Sequence, residues 1–198
     1  MSTNDLLIRT SLKAELSYLY AEHPDAVCID ELSLLHGSCR ADITIVDGVM
    51  HGYELKSDQD GLGRLPAQVD AYGVFDFATL VVGERLLNKA IEIIPDRWGV
   101  CVARVDSGRV VFRHLKLAMA NSSPDPLSTV KLLWKNEALA LLAESGGKSR
   151  AATLTRREWI YFELMAHVEF ERLRDAVRRC LKKRRGQRLA DMSPLCGG

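Results

Sequence analysis

The sequence has no apolar run approaching the length needed to cross a bilayer. Its start carries no cationic, apolar, small-residue signal. No membrane association is expected, and the cytoplasm is the expected compartment. Cysteine occurs at positions 28, 39, 101, 180 and 196 with no CxxC pair, and the odd number argues against a disulfide framework. The histidines at 23, 36, 51, 114 and 167 form no HExxH or paired-ligand spacing, which excludes a recognisable zinc site. No GxSxG or Cys/His arrangement supports acyl transfer. Gly146-Gly147-Lys148-Ser149 has the ending of a phosphate-binding loop, but Leu142 stands where the first glycine of GxxxxGK[ST] belongs. A helical pattern also precedes it where a strand is required, so ATP binding is excluded. Internal repeats and low-complexity tracts are missing as well.

What is present is the composition of a globular domain, with 47% hydrophobic and 27% charged residues in 198. Leu6, Leu7, Leu12, Leu16 and Leu19 follow helical spacing over residues 4–21, with Asn4 or Asp5 as cap. Strands are expected over 26–30, 40–46, 50–57, 79–82, 98–105 and 109–115, and helices over 62–75 and 84–94. The order αβββαβαββ specifies an α/β core of helices around a mixed sheet. Residues 121–128 turn to Ser, Pro, Asn and Asp, the composition of a linker. Helices follow over 132–143, with Trp134 expected to pack on the core, then over 153–166 and 169–183. The chain thus divides into a core, 1–120, and a basic helical extension, 121–198, whose residues after 185 lack periodicity.

The chemistry concentrates between Arg40 and Tyr72. Ile43 and Ile45 alternate with Asp42 and Thr44, Asp47-Gly48 supplies a hairpin turn, and the next strand carries Glu54-Leu55-Lys56. Successive strand side chains point to opposite faces, so Glu54 and Lys56 share a face. A hairpin pairing about Asp47-Gly48 brings Asp42 to that same side. Two carboxylates and an amine then meet at one spot. Hard oxygen ligands suit Mg²⁺ or Mn²⁺, and a water on such an ion becomes a stronger nucleophile. Lys56 is placed to orient or deprotonate that water and to stabilise phosphate charge.

Asp42 followed by Glu54-Leu55-Lys56 resembles the D…(D/E)xK core of the PD-(D/E)XK nuclease superfamily, with Ala41 replacing the preceding proline. Gln68-Val69-Asp70-Ala71-Tyr72 resembles its QxxxY helix element. More narrowly, Asp30-Glu31-Leu32, Gly37, Arg40 to Ile43, Gly52 to Asp58, Arg64-Leu65-Pro66 with Gln68, Tyr72 and Phe75-Asp76 resemble bacterial sce7726-type proteins. That likeness covers most of the chain, including Leu133-Trp134 and the basic C-terminal helix. It implies a restriction-endonuclease-like core, a central mixed sheet flanked by helices. It also implies hydrolysis of phosphodiester bonds in nucleic acid, DNA foremost, in repair, mobile-element or defence contexts. On this resemblance Asp42, Glu54, Lys56, Gln68 and Tyr72 are catalytic. Asp42, Glu54, the Leu55 carbonyl and Glu31 hold Mg²⁺ or Mn²⁺.

Gln68 and Tyr72 lie four apart on one helix face, and Arg64 stands four before Gln68 to meet a nucleic-acid backbone. Arg174, Arg178, Arg179, Lys182, Lys183, Arg184, Arg185 and Arg188 follow against Asp175 alone. Such a cluster suits phosphate contacts, with Arg178, Arg179, Lys182 and Lys183 as the expected nucleic-acid ligands. Two alternatives remain: a catalytically silent nucleic-acid-binding module, or a subunit docking through its C-terminal helices to a second copy or another protein.

Overall fold

The computed structural model describes residues 2–146 and 156–191. Helix α1 (Asp5–Leu19) starts where Asn4, in extended backbone, accepts the Leu7 N–H on its side chain at 2.9 Å. Its buried stripe is Ile8, Leu12 and Leu16. Leu6 and Leu19, expected on that stripe, are exposed. Leu6 is two residues from Ile8, over half a turn round the helix, and Leu19 is the last helical residue.

Six strands follow in one mixed sheet whose spatial order is the chain order: β1 (Val27–Leu34), β2 (Cys39–Asp47), β3 (Val49–Lys56), β4 (Phe77–Gly83), β5 (Gly99–Asp106) and β6 (Arg109–Lys116). β3, β4 and β5 run parallel, and the remaining neighbours are antiparallel. Gly48, at φ +68°, lets Asp47 pair with Val49, the hairpin expected from Asp47-Gly48. β1 is longer than the apolar pattern 26–30 suggests. It runs through Asp30 and Glu31, whose charges interrupt the pattern but find cationic partners at the sheet's open end. Between β1 and β2 stands a short 3₁₀ turn, Leu35–Gly37.

Helix α2 (Leu65–Ala71) carries Pro66 in its first turn and tightens into a 3₁₀ turn over Tyr72–Val74. It is shorter than the 62–75 pattern, as is α3 (Leu87–Ile91) against 84–94. At α3 the Asp58 carboxylate accepts the Arg85 N–H and holds the preceding segment in a turn. Residues 121–128 are tied down. The Asn121 amide donates to the Gly73 and Phe75 carbonyls, and Asp125 caps α4 (Pro126–Val130) by accepting the Ser128 N–H. Helices α5 (Lys135–Glu144), α6 (Arg157–His167) and α7 (Phe170–Asp191) complete the described chain. Lys148 and Ser149 of the loop-like motif, and Cys196, lie outside the described residues.

The two faces of the sheet bury separate cores. α1 covers Ile43, Ile45, Leu55 and Val81. On the other face Val130, Leu142, Ile160, Leu164, Val177 and Leu181 from α4 to α7 share one core with Met50, Tyr72, Leu80 and Val100. Trp134, expected to pack on that core, is 50% exposed. It precedes α5, and the Arg184 guanidinium lies 4.2 Å from its ring centroid. α7 is fastened by Asp76, a buried carboxylate that accepts the Met50 N–H at 2.6 Å and pairs with Arg174 and Arg178. No helix among the described residues is long and apolar enough to cross a membrane.

Gly52 positions the site that follows. A Cβ there would stand 2.6 Å from the Phe75 ring and 2.9 Å from the Tyr72 ring, both buried. Gly52→Ala is expected to push these rings off β3 and to cost about 1–3 kcal/mol, the usual penalty of overpacking. Urea denaturation checks this, and an unchanged midpoint would show that the rings yield freely.

Candidate active site

The middle of the sheet builds the site. β3 lies between β2 and β4, with Glu54 beside Leu80 and Lys56 beside Val82. Glu54 and Lys56 therefore project from one face of β3, paired with β4 along one edge and lying just past the end of the β2 pairing on the other. Glu54 is 0% exposed and Lys56 5%. Lys56 Nζ donates to Glu54 Oε1, the Gln68 amide donates to the same oxygen at 2.5 Å, and the Tyr72 hydroxyl donates to Oε2 at 2.9 Å. One turn of α2 thus delivers both side chains of the Gln68/Tyr72 pair to the carboxylate. Tyr72 is held by its own packing against Phe75 and Trp98, with ring centroids 5.0 Å away in each case.

Asp42 reaches the same place from β2. Its Oδ2 accepts the Leu55 N–H at 2.8 Å, which fixes it beside Glu54. The pairing of β2 with β3 ends at Ile43 and Tyr53, so Asp42 stands where the two strands part. Burial, and then the negative charge of Asp42, push the Glu54 carboxyl up to about 7, against the opposing pull of Lys56 and the Tyr72 hydrogen bond. Burial and the neighbouring Glu54 charge hold the Tyr72 phenol far above its ordinary range, so it remains a donor.

Sequence reasoning missed the cation that bridges the acidic residues. Arg9, on the polar face of α1, donates through Nη2 to Asp42 Oδ1 at 2.8 Å and through Nη1 to the Asp42 carbonyl at 2.9 Å. It also pairs with Glu31 Oε1 at 3.0 Å and with Asp5 at 3.1 Å. Burial works against its charge, yet the hydrogen bonds it donates to Asp5 and Asp42 hold it above its ordinary value. The i, i+4 spacing of Asp5 and Arg9 was a visible signal of a pair. That α1 lays this pair across the end of the β2–β3 hairpin was not. Glu31 is brought to the rim by Arg9 and by Arg40 at 3.9 Å, and its backbone sits at φ +52°. Glu15, also on α1, lies away from this cluster and pairs with His114 at 3.5 Å.

Asp42, Glu54, Lys56, Gln68, Glu31, Arg9 and Arg64 line one open cavity of about 670 Å³. Arg64 is exposed at its edge. Leu55 turns its side chain into the α1 core while its backbone faces Asp42. The basic helix divides. Arg179 and Lys183 are exposed and Lys182 half-buried. Arg178 departs from the expected open face: it is 9% exposed and held by Asp76 and Asp175.

A hard divalent ion suits these donors in kind. Each carboxylate oxygen offers two lone pairs, so Glu54 Oε2 and both Asp42 oxygens retain acceptor capacity beyond the bonds above. Gln68 Oε1 is also buried without a hydrogen-bond partner, a vacant acceptor beside the carboxylates. Among the described residues no three acidic, histidine or cysteine side chains converge as a complete cage.

The chain is similar to Protein cII of Enterobacteria phage P4, with 27% identity over 123 residues, 62% of this chain and 47% of that protein. It therefore spans about half the length of that relative. Among solved structures it is similar to the SPO1766 protein of unknown function from Silicibacter pomeroyi, with a TM-score of 0.40 and 17% identity. That likeness covers 61% of this chain and 77% of the other. Residues 4–192 match the family described as Bacteriophage P4 protein cII, and the chain belongs to that family.

Proposed function

We propose that this chain is a metal-dependent nuclease of PD-(D/E)XK type, with a restriction-endonuclease-like core, that hydrolyses phosphodiester bonds in nucleic acid, DNA foremost. The setting would be repair, mobile elements or defence, in the cytoplasm. The supporting observation is Glu54: a fully buried carboxylate, crowded by Asp42 and gripped by Lys56, Gln68 and Tyr72 at the floor of an open cavity. A structural ion pair needs no second carboxylate beside it and no cavity above it.

The residues divide the work. Asp42 and Glu54, with the Leu55 carbonyl and Glu31, would hold Mg²⁺ or Mn²⁺. When bound, the ion supplies Lewis-acid charge and a water of lowered pKa. Gln68 and Tyr72 fix Glu54 by donating to it, and the vacant Gln68 acceptor offers a place for a water proton. Lys56 orients the attacking water and stabilises charge on the phosphate oxygens. Arg64, the exposed Arg179 and Lys183, and the half-buried Lys182 offer phosphate contacts. Incubation of purified protein with Mg²⁺ or Mn²⁺ on end-labelled single- and double-stranded DNA and RNA tests the reading. Cleavage that stops on chelation is expected, and no cleavage of any substrate with either ion would overturn it.

One observation favours a second reading. Arg9 already neutralises Asp42 and Glu31. If the guanidinium replaces the ion for good, the chain is a silent nucleic-acid-binding module, which binds the same substrates and cuts none.

A further inference from the structure

A second cavity, of about 520 Å³, opens between β1 and the C-terminal helices, and Glu31 lines both it and the acidic cavity. Its acidic residues are already paired, Asp30 with Lys13 and Glu31 with Arg9. Arg184 is likewise paired, with Glu137. That leaves Lys131, Arg157 and Arg185 on its wall, none with an ion-pair partner among the described residues. Three like charges around one concavity repel, and an anion relieves that repulsion. Burial first, and then the charges of Arg157 and Lys131, hold the His36 imidazole on the same wall below its ordinary value.

Two further features separate this cavity from an ordinary basic surface. Trp134 lines it, half exposed, with the Arg184 guanidinium stacked against its ring. A flat aromatic–guanidinium surface beside cations that lack an ion-pair partner is what an unpaired base and its phosphate require. The partition between the cavities is also strained. Glu31, Leu35 and His36 have φ of +52°, +48° and +59°, three of the four non-glycine residues in the left-handed region among those described. Such backbone is costly and is concentrated where a wall must keep an exact shape for a ligand.

We propose that this cavity is a subsite for a single-stranded flank of the nucleic acid. Lys131, Arg157 and Arg185 take its phosphate, and the Trp134–Arg184 surface takes a base. The inference rests on the reading of the acidic cavity as the place of the scissile phosphate, with Glu31 and the 35–37 turn between the two.

The test uses the full chain without metal and fluorescent single-stranded oligonucleotides of about 4 to 16 nucleotides, the span of known single-strand sites. Anisotropy is followed against salt for wild type, Lys131→Ala/Arg157→Ala/Arg185→Ala and Trp134→Ala. Wild-type affinity is expected to rise with length and then level off. The triple variant should lose that rise and flatten the log–log salt slope by about 2. Trp134→Ala should weaken binding about tenfold or more, with its melting transition kept. Affinity and slope equal to wild type in both variants would overturn the subsite, as would a preference for duplex that Trp134→Ala leaves untouched. Metal-dependent cleavage separates the two ideas. Cleavage with unaltered binding by the variants sinks the subsite alone. Variant-sensitive binding with no cleavage by wild type leaves the subsite standing and sinks the nuclease.

Discussion

Lys56→Ala is expected to lower the cleavage rate by about 10²–10⁴-fold, the range for loss of a proton-transfer group or of a charge stabiliser at a reacting centre. Lys56 is 5% exposed and pairs with Glu54, so the substitution removes one buried cation and little else. It has a side effect that must be separated from catalysis. Lys56 pulls the Glu54 carboxyl down, so without it Glu54 holds its proton to still higher pH. The comparison therefore belongs well above neutral pH, where both proteins carry an ionised Glu54. A low rate there, with metal affinity close to wild type, assigns the loss to the amine. Wild-type cleavage by the variant would make Lys56 a mere counter-ion for a buried acid.

Asp76→Ala is expected to destabilise the chain by about 3–5 kcal/mol, the cost of breaking a buried pair. Asp76 is 6% exposed, and its removal leaves Arg174 and Arg178, with side chains 13% and 10% exposed, with Glu171 and Asp175 of their own helix as ion-pair partners among the described residues. The Met50 N–H loses its acceptor as well. Guanidinium denaturation measures the loss, and a change below about 1 kcal/mol would mean that Asp76 does not fasten α7 to the sheet. The same pair explains why Arg178 is a poor choice for testing nucleic-acid contacts. Its neutralisation would weaken the fold first.

The acidic site was legible because it obeys short-range rules. A period of two puts Glu54 and Lys56 on one face, an Asp-Gly turn sets the register that returns Asp42 to them, and a period near four carries Gln68 and Tyr72 together. The order of strands and helices followed from apolar runs and turn residues alone, and the six-stranded mixed sheet agrees with it. What escaped depends on contacts between distant segments. Arg9 lies on a helix whose polar face says nothing about which strand end it will cross. Arg178 reads as one charge in a basic run, yet its partner sits just before β4. Trp134 reads as packing on the core, but its position ahead of α5 leaves it half exposed against Arg184. The left-handed residues Glu31, Leu35 and His36 carry no local signal, since glycine or asparagine would ordinarily mark such backbone.

Calorimetric titration of Mn²⁺ into wild type and Asp42→Asn, repeated across pH, bears most directly on the central claim. Glu54 is pushed up to about 7 from an ordinary value of 4.5 by burial and by Asp42. A raised carboxyl favours the metal-free fold at low pH, and that contribution is lost as pH rises through about 7. The ion needs the ionised form, so wild-type affinity should fall by up to about tenfold per pH unit below 7, with a proton released on binding. Asp42→Asn removes one ligand and also the charge that raises Glu54. It should bind Mn²⁺ at least tenfold more weakly, with its pH inflection moved down. Equal Mn²⁺ affinity in the two proteins, or no binding by wild type above pH 7, would contradict the account and leave Arg9 as the permanent occupant of the site.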